Sequence, residues 1–132
     1  MDQKRSSYLP IVISIESKNY APEDSDWQKE CHQLYSQIRK TPDEGIVEPL
    51  KAEKEENGYR GGFIEIFSTI TAGIASIGGL TAIIELAKLW LGNRKGCEIT
   101  LKFPDGSELK VSGASREEIL SLYEKQLARH EK

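Results

Sequence analysis

The stretch FIEIFSTITAGIASIGGLTAIIELAKLWL, Phe63–Leu91, decides the fold, since it either crosses a membrane or forms the central helix of a small globular domain. From Ile66 to Ile84 it runs 19 residues without a charge. As a helix those residues span about 28 Å, close to the thickness of a bilayer's hydrocarbon core. Composition weighs against insertion. Six Ile, one Phe and one Leu contribute about −2 to −5 kcal/mol toward the bilayer, and three Gly, three Thr and two Ser oppose them. Glu65, Glu85 and Lys88 lie within the longer apolar run, and Trp90 marks one end of it as an aromatic anchor without a counterpart at the other.

Read as a helix, the stretch places Phe63, Phe67, Ile70, Ile74, Ile77 and Ile84 on one side as a core-facing surface. The opposite side carries the small residues Thr69, Ala72, Gly73, Ser76 and Gly79. Such a face permits close contact within the domain, between protomers or in a bilayer. Gly78-Gly79 is where a kink or break is expected, because two glycines cost about 2 kcal/mol of helix propensity relative to alanine.

Outward from this segment the chain alternates strand and helix signals. Leu9–Glu16 (LPIVISIE) sets Ile11, Ile13 and Ile15 on one side of a strand. Ser25 with Gln28 forms a capping box for a helix to about Lys40, whose stripe is Trp27, Cys31, Leu34, Tyr35 and Ile38. Gly45–Leu50 is a brief strand that Pro49 confines to an end or an edge. Residues 51–62, charged and glycine-rich, are expected to form an exposed loop, a candidate for binding or cleavage.

Beyond the long segment, Leu91-Gly92-Asn93 supplies a residue able to close the helix, with Arg94-Lys95 at its negative end. CEITLKFPDGSELKVSG alternates at Ile99, Leu101 and Phe103, turns at Pro104-Asp105-Gly106 and resumes at Leu109 and Val111, the pattern of a hairpin with one buried face. Ser115 with Glu118 caps a last helix with the stripe Ile119, Leu120, Tyr123 and Leu127. The order is β-α-β-α-β-β-α. It predicts a single α+β domain over residues 1–132, with a small mixed sheet covered by the long Gly-rich helix 63–91.

Chemistry-bearing motifs are sparse. Cys31 and Cys97 are 66 positions apart, which is neither a metal-ligand spacing nor a disulfide framework, so both are expected as small buried or half-buried thiols. His32 and His130 suggest no catalysis. Glu85, flanked by Ile83, Ile84 and Leu86, is expected at the surface beside Lys88. No catalytic, cofactor-binding or metal-ligating set is predicted, and with a net charge of −3 and no basic stripe, nucleic acid is not an expected partner. The opening MDQKRSSYLPIVISIES lacks a signal-peptide cleavage site, so a cytoplasmic location is expected.

The glycine-rich helix with Trp90-Leu91 and its basic end, followed by strand, PDG turn, strand and short final helix, resembles the effector-associated constant component family of bacterial conflict systems. The resemblance implies a small non-enzymatic accessory or adaptor, working by protein–protein contact with an effector such as a protease or with a regulatory NTPase, as a monomer or homo-oligomer. It carries over no catalytic residues. The alternative is a small membrane-active effector that inserts 63–91 into the inner membrane.

Overall fold

The computed structural model describes residues 9–21, 24–40, 46–57, 62–92 and 94–130. The elements are β1 (Leu9–Ser17), α1 (Ser25–Lys40), β2 (Ile46–Asn57), β3 (Gly62–Ile74), α2 (Ile77–Leu91), β4 (Cys97–Lys102), β5 (Glu108–Lys110) and α3 (Arg116–His130), with a 3-10 turn at Val111–Gly113. The fold is α+β, as expected, but the segment 63–91 is not one helix. Its first half is a strand and only its second half is helical.

The physical reason lies in residue type. Ile64, Ile66, Ile70 and Ile74 fall at even spacing, and Thr69, Ile70 and Thr71 are consecutive β-branched residues, which lose rotamer freedom in a helix and pack well on a pleated surface. The strand ends where Ser76 takes an extended conformation (φ −156°, ψ 165°) and its Oγ accepts the Gly79 N–H at 3.3 Å, capping α2. Gly78 and Gly79 therefore stand in the first turn of a short helix and do not kink a long one.

The five strands lie in the order β2-β3-β1-β4-β5, and every neighbouring pair is antiparallel, so the sheet is not mixed. β3 enters between β1 and β2, and β1 between β3 and β4. Two split β-α-β units, β1-α1-β2 and β3-α2-β4, thus interlock in the ferredoxin-like topology, to which β5 and α3 are added. Strand register puts Ile13 opposite Ile70 on one side and Leu101 on the other, with Ile11 against Ala72 and Ile15 against Ile99. All of these are buried, and Trp27, Cys31, Leu34 and Ile38 of α1 and Leu80, Ile83, Ile84 and Ala87 of α2 complete the same core. The α1 stripe is the one the sequence predicts. On the sheet's other face Val12, Ser14, Thr69, Thr71 and Thr100 are half-buried.

β2 is an edge strand, as Pro49 requires, but it is longer than a brief strand. Residues 51–57 continue it instead of forming a loop, and residues 58–61 lie outside the described residues. Its register with β3 shifts twice, once across Pro49 and once between Ala52 (opposite Ile70) and Glu53 (opposite Ile66). Three β3 residues, Phe67 to Thr69, occupy the second irregularity. Gln28 reaches it from α1: the Phe67 N–H donates to Gln28 Oε1 at 2.6 Å, and Gln28 Nε2 donates to Ser68 Oγ at 3.4 Å. Gln28 is thus turned toward the sheet. The cap of α1 is Asp24, not Ser25, with Asp24 Oδ1 accepting from the N–H groups of Asp26 (2.8 Å) and Trp27 (3.1 Å).

The hairpin and last helix follow their sequence signals closely. The Phe103 N–H donates to Ser107 O and the Gly106 N–H to Phe103 O, both at 2.9 Å, and Gly106 sits at φ +92°, a three-residue loop with its left-handed glycine. Ser115 and Glu118 exchange reciprocal capping bonds of 3.1 Å. Val111 is buried but belongs to the 3-10 turn, not to β5. In α3, Ile119, Tyr123 and Gln126 face inward, while Leu120 and Leu127, predicted within the buried stripe, are exposed. α2 ends at Gly92 in right-handed conformation (φ −53°), so this glycine does not supply a left-handed cap.

Asp105 ties the hairpin to α3. The Ser107 backbone N–H (2.8 Å) holds its carboxyl down from 3.8 to about 2 against the opposing effect of burial, with a smaller contribution from the more distant Lys125 ammonium (3.8 Å). A carboxyl depressed on folding stabilises the native state above its unfolded pKa, and this contribution is lost as pH falls toward about 2. Asp105→Asn is expected to flatten the stability profile between about pH 4 and 2, measured by chemical denaturation across that range. Ile74→Asp, which puts a charge at a position 1% exposed, is expected to remove about 4 kcal/mol or more, read as collapse of the thermal transition. Gln28→Ala is expected to cost about 1 kcal/mol and to speed amide exchange at Phe67, with Gln28→Glu retaining the acceptor and much of the protection.

Candidate interaction surfaces

Two regions remain after the core is accounted for. The first is the outer side of α2. The helix buries Gly79, Leu80, Ile83, Ile84, Ala87 and Trp90, yet its opposite side is also poor in charge. Ile77 and Leu86 flank this side and still pack on the core, Thr81 and Ala82 are half-buried, Gly78, Glu85 and Lys88 are exposed, and Leu89 is 76% exposed. Glu85 and Lys88 are the only charges of the helix. Lys88 Nζ donates to the Ala114 carbonyl at 3.1 Å, so it is directed toward the start of α3 and not simply paired with Glu85. A surface helix ordinarily carries a polar outer face, from which the exposed Leu89 departs.

Between α2 and α3 lies a cleft of about 600 Å³. Ile77, Thr81, Ile84, Ile119 and Leu120 line it, together with Glu85, Lys88 and Arg116. Leu120 is 44% exposed there, and Leu127, two turns along α3, is 37% exposed. The cleft thus combines apolar walls with interspersed charge.

The small residues predicted to share one helical face do not do so. Thr69 lies on the half-open side of β3, Ala72 faces the core, and Gly73, next along the strand, points to the other side of the sheet. Ser76 is the α2 cap and Gly79 is buried in its first turn. Helical spacing brought them together in sequence, and the strand separates them.

The second region gathers where α1, α2 and β4 meet. Tyr20 stacks on Trp27 (5.5 Å between rings, 14° between planes), Trp27 meets Trp90 at 6.0 Å, and the Arg94 guanidinium lies 4.3 Å over the Trp90 ring. Arg94 donates to Glu30 Oε1 from Nε (3.0 Å) and Nη2 (2.6 Å), to Gln33 Oε1 (2.9 Å), and to the Trp90 carbonyl (2.7 Å). The last bond satisfies the negative end of α2, as the basic Arg94-Lys95 pair predicts. The Trp90 indole N–H donates to the Glu30 carbonyl at 3.1 Å. The Arg94-Lys95 signal places the basic end of α2 but not its partner, because Glu30 lies 64 positions away and belongs to no motif.

A cleft of about 470 Å³ opens beside the cluster, lined by Tyr20, Trp27, Glu30, Arg94, Lys95 and Cys97. Both cysteines are free, with Cys31 buried and Cys97 half-buried, as expected. Burial pushes the Cys31 thiol up to about 12, reinforced by Cys97 and Glu30 and opposed by Arg94. His32 packs edge-on to the Phe67 ring at 4.6 Å. Among the described residues no three His, Cys, Asp or Glu side chains gather as a metal site, and no helix is long and apolar enough to cross a membrane. Comparisons of the chain with protein-family models, curated proteins and solved structures find no match.

Proposed function

We propose that this chain is a non-enzymatic accessory or adaptor protein of a bacterial conflict system, acting by contact with an effector, such as a protease, or with a regulatory NTPase. The observation that carries the reading is the outer side of α2. A 15-residue helix with two charges, a leucine 76% exposed and a neighbouring apolar cleft invites a covering partner. The class of partner is taken from the resemblance to the effector-associated constant component family, read on the glycine-rich segment 63–91, whose first half is the strand β3, together with its basic end, the PDG hairpin and the last helix. A membrane-active effector loses its main support, because α2 spans about 22 Å against the roughly 30 Å of a hydrocarbon core, and the preceding apolar residues are a strand.

The test is co-purification with an effector or NTPase encoded beside this chain, with light scattering of the chain alone to report self-association. Leu89→Glu with Leu120→Glu is expected to change stability by less than about 0.5 kcal/mol per site and to weaken partner binding at least about tenfold. Unchanged affinity in the folded double variant would remove this face as the docking surface.

A further inference from the structure

Ile11, Ile13 and Ile15 of β1 share one core with the buried residues of α1, α2 and α3. Side chains alternate along a strand, so Pro10, Val12, Ser14 and Glu16 lie on the face that these helices leave open. Strand register lays that face out in rows. Thr71, Val12, Lys102 and Glu108 stand side by side across β3, β1, β4 and β5. Thr69, Ser14, Thr100 and Lys110 form the next row, and Glu16 with Glu98 the row after it.

The middle of the face is flat and uncharged, with Val12, Ser14, Thr69, Thr71 and Thr100 all half-buried. Charge is segregated along the strands. Glu16 and Glu98 are like charges directly opposite one another, about 5 Å apart at Cβ, an arrangement that destabilises a sheet left to itself. The Ser112 hydroxyl donates to Glu98, and Lys18 lines a cleft with both carboxylates but forms an ion pair with neither. Two rows away, Lys102 is exposed and, among the described residues, has no ion-pair partner.

From this pattern we propose that the open sheet face joins two copies of this chain, about a two-fold axis running across the strands along the Ser14–Thr100 row. Such an axis reverses strand direction, so the Val12–Lys102 row of one copy meets the Glu16–Glu98 row of the other. Each Lys102 then enters a pair of carboxylates, once on either side of the axis. An axis along the strands would instead set acidic row on acidic row, which like-charge repulsion disfavours. The small side chains in the middle let the sheets reach the usual face-to-face spacing of about 10 Å, with hydroxyls of one copy facing those of the other. The helices stay outside, and the dimer presents the outer side of α2 twice. The pairing does not depend on the docking role of α2.

Sedimentation of the full chain over a range of concentrations, at low and high salt, tests the proposal. The expected result is a monomer–dimer equilibrium that salt shifts toward monomer. Lys102→Glu is expected to weaken the dimer at least about tenfold while leaving the melting temperature nearly unchanged. Adding Glu98→Lys to it is expected to restore association, because the exchanged charges meet again across the axis. Leu89→Glu with Leu120→Glu, on the helix side, is expected to leave the dimer intact, so that loss of partner binding in that variant is read separately. A monomer at every concentration would overturn the proposal, as would a dimer indifferent to Lys102→Glu or one dissolved by the helix-side variant.

Discussion

Ile13 sits where the structure is most constrained, at the middle of β1 with Ile70 on one flank and Leu101 on the other. All three are fully buried, and each such side chain contributes about 1.5–3 kcal/mol when removed from water. This row requires β3 and β4 to lie against both edges of β1, and it sets the face on which α1 and α2 must pack. A one-residue slip of β3 would bring Thr69 and Thr71 into the core and expel Ile70. The β2-β3 irregularity at Phe67–Thr69, supported from α1 by Gln28, is compatible with that register because it alters pairing with the edge strand and leaves pairing with β1 intact.

Much of this architecture was legible in the sequence. β1, α1, the PDG hairpin and the Ser115–Glu118 capping box announce themselves by short-range chemistry, and the structure realises each nearly residue for residue. The failure at 63–74 has a specific cause. Isoleucines at 66, 70 and 74 are four apart, a spacing that satisfies both a helical stripe and every second position of a strand. The arbitrating signal was the run of β-branched residues around Thr69 and Thr71, together with the Ser76 cap that starts a new element. Missing β3 also made the sheet look mixed, since β1 and β2 run in the same direction and become antiparallel neighbours of β3 only once it lies between them. The Glu30–Arg94 clamp depends on tertiary packing, and no local pattern encodes it. Leu120 and Leu127 mislead in the opposite sense, because the fold buries only the Ile119 and Tyr123 part of their apolar stripe.

That exposure links fold to function. The sheet needs one apolar side of α2, and Leu80, Ile83, Ile84 and Ala87 provide it. Gly78, Ala82 and Leu89 on the outer side serve no core that the described residues contain. The proposed docking role rests on this excess and on the cleft shared with α3. The aromatic and Arg94 cluster, by contrast, is largely satisfied within the chain.

The division of 63–91 into strand and helix is the central claim, and backbone chemical shifts across that segment test it most directly. The account predicts strand-type carbon shifts from Gly62 to Ile74, a break at Ala75-Ser76 and helical shifts from Ile77 to Leu91, with cross-strand contacts between Ile13 and Ile70. Continuous helical shifts from Phe63 to Leu91 would contradict it.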